Sequence, residues 1–207
     1  MFEIWCITER SRCGEAFLPR LKAAADALPD RILLREKDLP PTAYRELAGE
    51  VLAICREAGV PCSLHRYARA AFLLGCTDLH LPLSDLRILP EGLRSAFSLI
   101  GTGCHSLEEA EEAIALGADY LIAGHIFATG CKPGLPPRGT SFLKEVCQRS
   151  SVPVYAIGGI GPQQIPALME AGAAGACLMS RFWTEDPEDL MRRLRNAVRE
   201  HEKEGRP

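Results

Sequence analysis

Strand-like runs recur eight times along the chain, all but the fourth followed by a helix-like run, and eight such units in succession leave few folds open. Apolar or β-rich runs predict strands at Phe2–Thr8, Arg31–Arg35, Pro61–Leu64, Asp78–Leu81, Ser98–Gly101, Asp119–Ala123, Pro153–Ile157 and Gly175–Met179. Helical apolar spacing predicts helices over Ala16–Leu28, Thr42–Ala58, Tyr67–Leu74, Ser106–Leu116, Ser141–Gln148, Gln163–Ala171 and Pro187–Glu200. Gly59, Gly75, Gly117 and Gly172 serve as helix stops, and Ser106 with Glu109 three residues on reads as a capping box. The stretch Pro82–Phe97 shows little helical pattern. Tyr120-Leu-Ile-Ala and Val154-Tyr-Ala-Ile are continuously apolar, which favours parallel strands covered on both faces. A repeat of about 26 residues suffices for a strand, a crossover helix and two short loops. The expected fold is α/β, a single compact (β/α)8 barrel spanning residues 1–207. The competitor, an open doubly wound sheet, is disfavoured because no Gly-x-Gly-x-x-Gly turn follows the first strand.

A net charge of −3 supplies no basic surplus for nucleic acid, and no apolar run reaches the ~20 residues a membrane span needs. Met1–Arg10 carries Glu3 and no basic stretch, so it reads as a strand and not a secretory signal. The nine cysteines are odd in number, lack a CxxC pair and lie mostly in apolar runs, which predicts buried free thiols in a cytoplasmic, reducing setting.

In a barrel of this kind, function sits in the loops after the strands. After the seventh strand comes Ile157-Gly158-Gly159-Ile160-Gly161, and after the eighth Met179-Ser180-Arg181. Backbone N–H groups near Gly158, Gly159, Met179 and Ser180 can cradle a phosphate, although glycines there also simply make tight turns. After the sixth strand a long Gly/Pro-rich loop carries His125, Thr129, Cys131, Lys132 and Arg138. His125 directly follows the strand and can both take and give a proton near neutral pH; scaffolding of the loop is its other reading. After the second strand, Arg35 and Lys37 share a face and suit a phosphate or carboxylate. His80 lies inside an apolar strand and reads as a satisfied core group. Cys104 and His105 are adjacent, so they point apart and make a poor nucleophile–base pair. No His, Cys or carboxylate spacing matches a tight metal site.

Taken together, Arg35-Glu36-Lys37, Asp78-Leu-His80-Leu, Ile100-Gly101, Ala118-Asp119-Tyr120 and Ala156-Ile157-Gly158-Gly159-Ile160 resemble the thiamine phosphate synthase superfamily over nearly the whole chain. One branch joins a pyrimidine diphosphate to a thiazole phosphate with Mg2+. The other, TenI-like branch moves a proton on a thiazole phosphate-carboxylate and yields the aromatic isomer. The metal-holding Asn-Asp pair of the synthase is matched here by His65-Arg66, its glutamine by Leu33 and its serine by Gly103, while Asp85 survives in the second metal loop. The run Gly124-His125-Ile-Phe127-Ala-Thr129-Gly-Cys131-Lys132-Pro-Gly134-Leu135-Pro-Pro-Arg138-Gly139 is similar to the tautomerase pattern. The resemblance therefore implies a thiazole tautomerase that needs no metal or other cofactor. His125 would be its acid–base residue, and Arg35, Lys37, Thr129, Cys131, Lys132, Gly158, Gly159, Met179 and Ser180 would bind the phosphorylated thiazole. It also implies a homodimer, to which exposed aromatics of Met179–Trp183 could contribute. The alternatives are a divergent Mg2+-dependent synthase and a non-catalytic thiazole phosphate-binding regulatory protein.

Overall fold

The computed structural model describes residues 1–204. Its elements run β1 (Glu3–Ile7), α1 (Phe17–Asp26), β2 (Arg31–Leu34), α2 (Pro41–Ala58), β3 (Cys62–His65), α3 (Ala68–Leu73), β4 (Asp78–Leu81), α4 (Leu83–Arg87), α5 (Glu91–Arg94), β5 (Leu99–Cys104), α6 (Leu107–Ala115), β6 (Tyr120–Gly124), α7 (Gly139–Arg149), β7 (Val154–Ile157), α8 (Ile165–Glu170), β8 (Gly175–Leu178), α9 (Ser180–Thr184) and α10 (Pro187–Glu204). Every strand pairs in parallel with the next, and β8 returns to β1 to close a barrel. This is the expected (β/α)8 architecture.

Alternation along the strands builds two cores. Ile4 and Cys6 face outward into the helical layer, while Trp5 and Ile7 face the barrel interior with Leu33, Tyr120, Ile122, Tyr155 and Cys177. Trp5 stacks against Tyr155 at 4.1 Å and meets Tyr120 edge-on at 5.0 Å. At the N-terminal end of the strands the interior is plugged by polar groups that satisfy one another. Glu3 accepts from Trp5 Nε1 at 2.7 Å and Tyr155 Oη at 3.0 Å, and Arg31 pairs with Asp78 and donates to Ser63 Oγ at 2.9 Å. The opposite end of the barrel is where ligand-facing loops can gather.

Local signals explain most element ends. Gly59 adopts φ +71° after α2, and Ser106 Oγ accepts from Glu109 N at 3.2 Å. Glu109 reaches back to His105 N at 2.6 Å, one residue before the N-cap, so the capping box is closed one step out of register. Pro82–Phe97 holds two short helices, α4 and α5, whose single turns are too brief to show a periodicity in sequence. Helix α9 was not anticipated, and it corrects the exposed-aromatic reading of Met179–Trp183. Phe182 and Trp183 are buried, with Trp183 Nε1 donating to Ile7 O at 2.9 Å. These rings fasten β8 to β1 and offer no exposed surface to a second subunit.

Gly101 in β5 lies beside Tyr120 of β6, and a β-carbon there would come within 2.0 Å of the phenol ring. Gly101→Ala is therefore expected to destabilise the barrel by about 1–3 kcal/mol through overpacking, read as a lower urea midpoint at unchanged slope.

Candidate active site at the strand C-terminal rim

The rim begins at the end of β2. Arg35 and Lys37 turn to the mouth, and Glu36 between them turns into the wall. Glu36 is almost fully buried and accepts from Thr8 Oγ1 at 2.5 Å and from Arg10 N at 3.1 Å, which ties the β1 loop to the β2 loop. Burial raises its pKa, partly opposed by the Thr8 bond. Arg35 has its N–H on Thr8 Oγ1 at 2.9 Å and its Nη1 3.9 Å from Met179 Sδ. Burial lowers the pKa of its guanidinium against the pull of Glu36 and Glu9. Lys37 is lowered as well, by desolvation first and then by Arg35, Lys132 and Arg66. Four cations from three loops thus crowd one mouth.

Below them, His65 and His80 lie side by side on β3 and β4, in register, with ring centroids 5.9 Å apart and planes inclined by 24°. Burial pushes His80 down to about 3, with Arg35 and Lys37 adding to it. His65 falls to about 2, from burial first and then from His80, Arg35, Lys37 and Arg66. His80 Nδ1 sits 3.1 Å from Tyr120 Oη, so the expectation of a satisfied histidine holds for that nitrogen. Tyr44 from α2 braces this end, donating to Leu34 O and accepting from His65 N, both at 2.8 Å.

Arg66 follows β3 with φ +71°, a left-handed conformation that costs a non-glycine residue energy. Its Nε lies 3.5 Å from Asp85 Oδ2. The other carboxylates of this quarter are also taken, Glu36 by Thr8 and Arg10, and Asp38 by Arg10. Among the described residues, no three His, Cys, Asp or Glu side chains are placed to hold a metal. A guanidinium on Asp85 and cations above it do not fit a divalent cation.

The β6 loop covers the mouth from the other side. Its two ends are drawn together, with Arg138 N on His125 O and Gly139 N on Ile126 O, both at 3.0 Å. Its tip reaches the β1 loop, where Arg12 Nη2 is 3.7 Å from Cys131 Sγ. Thr129 Oγ1 accepts from Cys131 N at 3.3 Å. The Gly124–His125 peptide is cis. His125 is buried, and its Nε2 is 3.3 Å from Leu135 O. A carbonyl can only accept, so Nε2 is the donor, and in the neutral ring Nδ1 is then the bare nitrogen.

Gly158 and Gly159 have φ of +104° and +66°. A β-carbon on Gly158 would lie 2.4 Å from His125 Cβ, and one on Gly159 2.3 Å from Ala128 O. Their lack of side chains lets the β6 loop dock on the β7 loop, with Phe127 N on Gly158 O at 3.0 Å. Ser180 opens α9 beside them, since β7 and β8 are neighbours.

The structure thus gathers Arg35, Lys37, Lys132, Cys131 and Met179 around one mouth and sets His125 against Gly158. Cys104 is buried in the outer layer and pushed up to about 12 by burial, while His105 faces Glu109 at 3.4 Å. Sequence reading gave Glu36, Arg12, Tyr44 and Tyr120 no role in the site. Only Tyr120 left a signal, because a glycine inside the neighbouring strand marks a close approach. Hollows of about 310 Å3 beside Leu28 and Arg195 and of about 210 Å3 beside Cys62 and Cys76 lie away from the rim.

A closed parallel barrel with its charged residues and longest loop gathered at the strand C-terminal rim is the architecture of (β/α)8 enzymes. The family model described as thiamine monophosphate synthase, TMP-TENI, matches residues 4–182. The chain belongs to this family. It is 31% identical over 198 residues to a thiamine-phosphate synthase of Syntrophomonas wolfei, covering 94% of this chain and 95% of the relative. Against the thiamine-phosphate synthase of Thermus thermophilus it is 34% identical over 187 residues, covering 89% and 90%. Among solved structures it is similar to a thiamine phosphate pyrophosphorylase from Pyrococcus furiosus, with a TM-score of 0.81, 25% identity and coverage of 97% and 96%.

The two depressed histidines carry a stability consequence. Their folded pKa values lie below the unfolded value of 6.5, so the unfolded chain binds more protons and stability declines as pH falls from 6.5 toward 3. Each contributes a slope of about 1.4 kcal/mol per pH unit. Unfolding free energies measured from pH 7 to 5, where most carboxylates stay ionised, are expected to fall more steeply for the native chain than for His65→Gln. Parallel curves would show that His65 gains its proton in the folded chain as readily as in the unfolded one.

Proposed function

We propose that the protein is a metal-independent isomerase, a thiazole tautomerase that converts a non-aromatic thiazole phosphate-carboxylate into its aromatic isomer. The observation that carries this reading is the charge pattern of the mouth. Arg35, Lys37, Arg66 and Lys132 converge there, and Arg66 pairs at 3.5 Å with Asp85, the carboxylate that the family resemblance leaves in the second metal loop. The site is built for a small, multiply anionic ligand, and cations already present in the protein balance its charge.

In this reading the phosphate lies on backbone N–H groups near Gly158, Gly159, Met179 and Ser180. Lys132 closes over it with the β6 loop, where Thr129 and Cys131 form the lid edge, and Arg35 and Lys37 meet the carboxylate. His125 takes the proton from the ring carbon bearing the carboxylate through its bare nitrogen and returns it to the exocyclic carbon. The protein and its substrate end with the protons they began with, and aromatisation provides the drive.

The names of the similar proteins favour a second reading, a divergent thiamine-phosphate synthase coupling a pyrimidine diphosphate to a thiazole phosphate. One experiment separates the two. Freshly generated non-aromatic thiazole phosphate-carboxylate is followed to the aromatic isomer with native protein and with His125→Ala, without metal or pyrimidine. Acceleration that falls by roughly 10²–10⁴-fold in the variant is expected. No acceleration by folded protein, together with Mg2+-dependent coupling in a parallel assay, would replace the isomerase with the synthase.

A further inference from the structure

The proton transfer assigned to His125 leaves the two imidazoles of the inner wall without a task. A buried hydrogen bond accounts for one of them, and its direction follows from the phenol that makes it. Tyr120 Oη has one hydrogen-bond partner among the described residues, His80 Nδ1 at 3.1 Å. A buried hydroxyl left without an acceptor is costly, so the phenol donates to Nδ1. A ring nitrogen that accepts carries no proton, which leaves the proton on Nε2.

The other edge of the ring is open. His80 Nε2 meets no protein partner among the described residues, yet it is not one of the sealed, unpartnered polar atoms of the interior. His80 keeps 7% of its surface on an inner wall whose lower end is plugged by Trp5, Arg31 and Asp78, so that surface faces the mouth.

We infer that Tyr120 is a positioning residue that locks His80 in the Nε2–H tautomer, making His80 an uncharged hydrogen-bond donor at the floor of the substrate site. Burial and the cations above it keep the ring from gaining a second proton. Such a donor suits the proposed reaction, on which its role toward substrate rests. Removing the ring-carbon proton spreads negative charge over the adjoining carboxylate, and an aligned N–H strengthens its bond as that charge develops. His80 keeps its proton throughout, and the transferred proton travels on His125.

The lock is tested without substrate. Two-bond 1H–15N correlation spectra of 15N-histidine-labelled protein at neutral pH, assigned with His80→Gln, are expected to show a protonated Nε2 and a bare Nδ1. Tyr120→Phe retains the ring that packs on Gly101 and removes the donor, and it should yield a mixture of tautomers. A protonated Nδ1 in native protein, or an unchanged tautomer in Tyr120→Phe, would overturn it. For the donor role, His80→Ala is expected to lower kcat on the order of 10²-fold with a smaller change in KM, and His80→Gln, which restores an N–H, to recover part of the loss. Equal rates in His80→Ala and native protein would sink the donor role. A locked tautomer in a protein that shows no isomerase activity would keep the lock, remove its role in that reaction and count against the proposed function alone.

Discussion

Everything at the rim depends on how the barrel interior is filled. Eight parallel strands enclose a space that must be dry and packed, and here three aromatic rings do most of the filling. Tyr120 reaches across only because Gly101 has no side chain. The ring's hydroxyl then has to be satisfied inside the barrel, and His80 satisfies it. Packing and polarity are thus solved together. The aromatic layer separates the ion-paired plug around Arg31 and Asp78 from the cationic mouth.

The mouth shows the opposite economy. Its cations are held close together, and burial first, with this repulsion added, lowers the pKa of Lys37 and of both inner histidines. Such an arrangement costs stability in the free protein and is relieved by an anionic ligand. Glu36 permits it structurally. Buried beneath the rim, it joins the β1 and β2 loops, and its hydrogen bonds go to Thr8 and Arg10, not to the side chains of the mouth.

The double glycine after β7 shows how one motif can answer two demands. Its backbone freedom suits an anion cradle, which is the role proposed for it. The structure adds a steric demand, because His125 and Ala128 occupy the space where β-carbons would be. The β6 and β7 loops are therefore one unit, and the position of His125 is set as much by Gly158 as by its own strand.

The order of elements, their parallel pairing and the loops that carry the charged residues were legible in the sequence, because apolar periodicity and glycine stops are local signals. Arg35 and Lys37 could be placed on one face from alternation alone, and the family pattern singled out His125. The short helices α4, α5 and α9 were not legible, since a single turn has no period to read. Nor was the burial of Phe182 and Trp183, which depends on barrel closure bringing Ile7 beside a segment 176 residues away. The same holds for the pairing of Arg66 with Asp85, the engagement of Glu36 by the β1 loop and the bond between Tyr120 and His80. Local residue patterns determined which elements form and in what order. Barrel closure decided which side chains meet, because those contacts join strands and loops far apart in the chain, and local patterning carries no information about them.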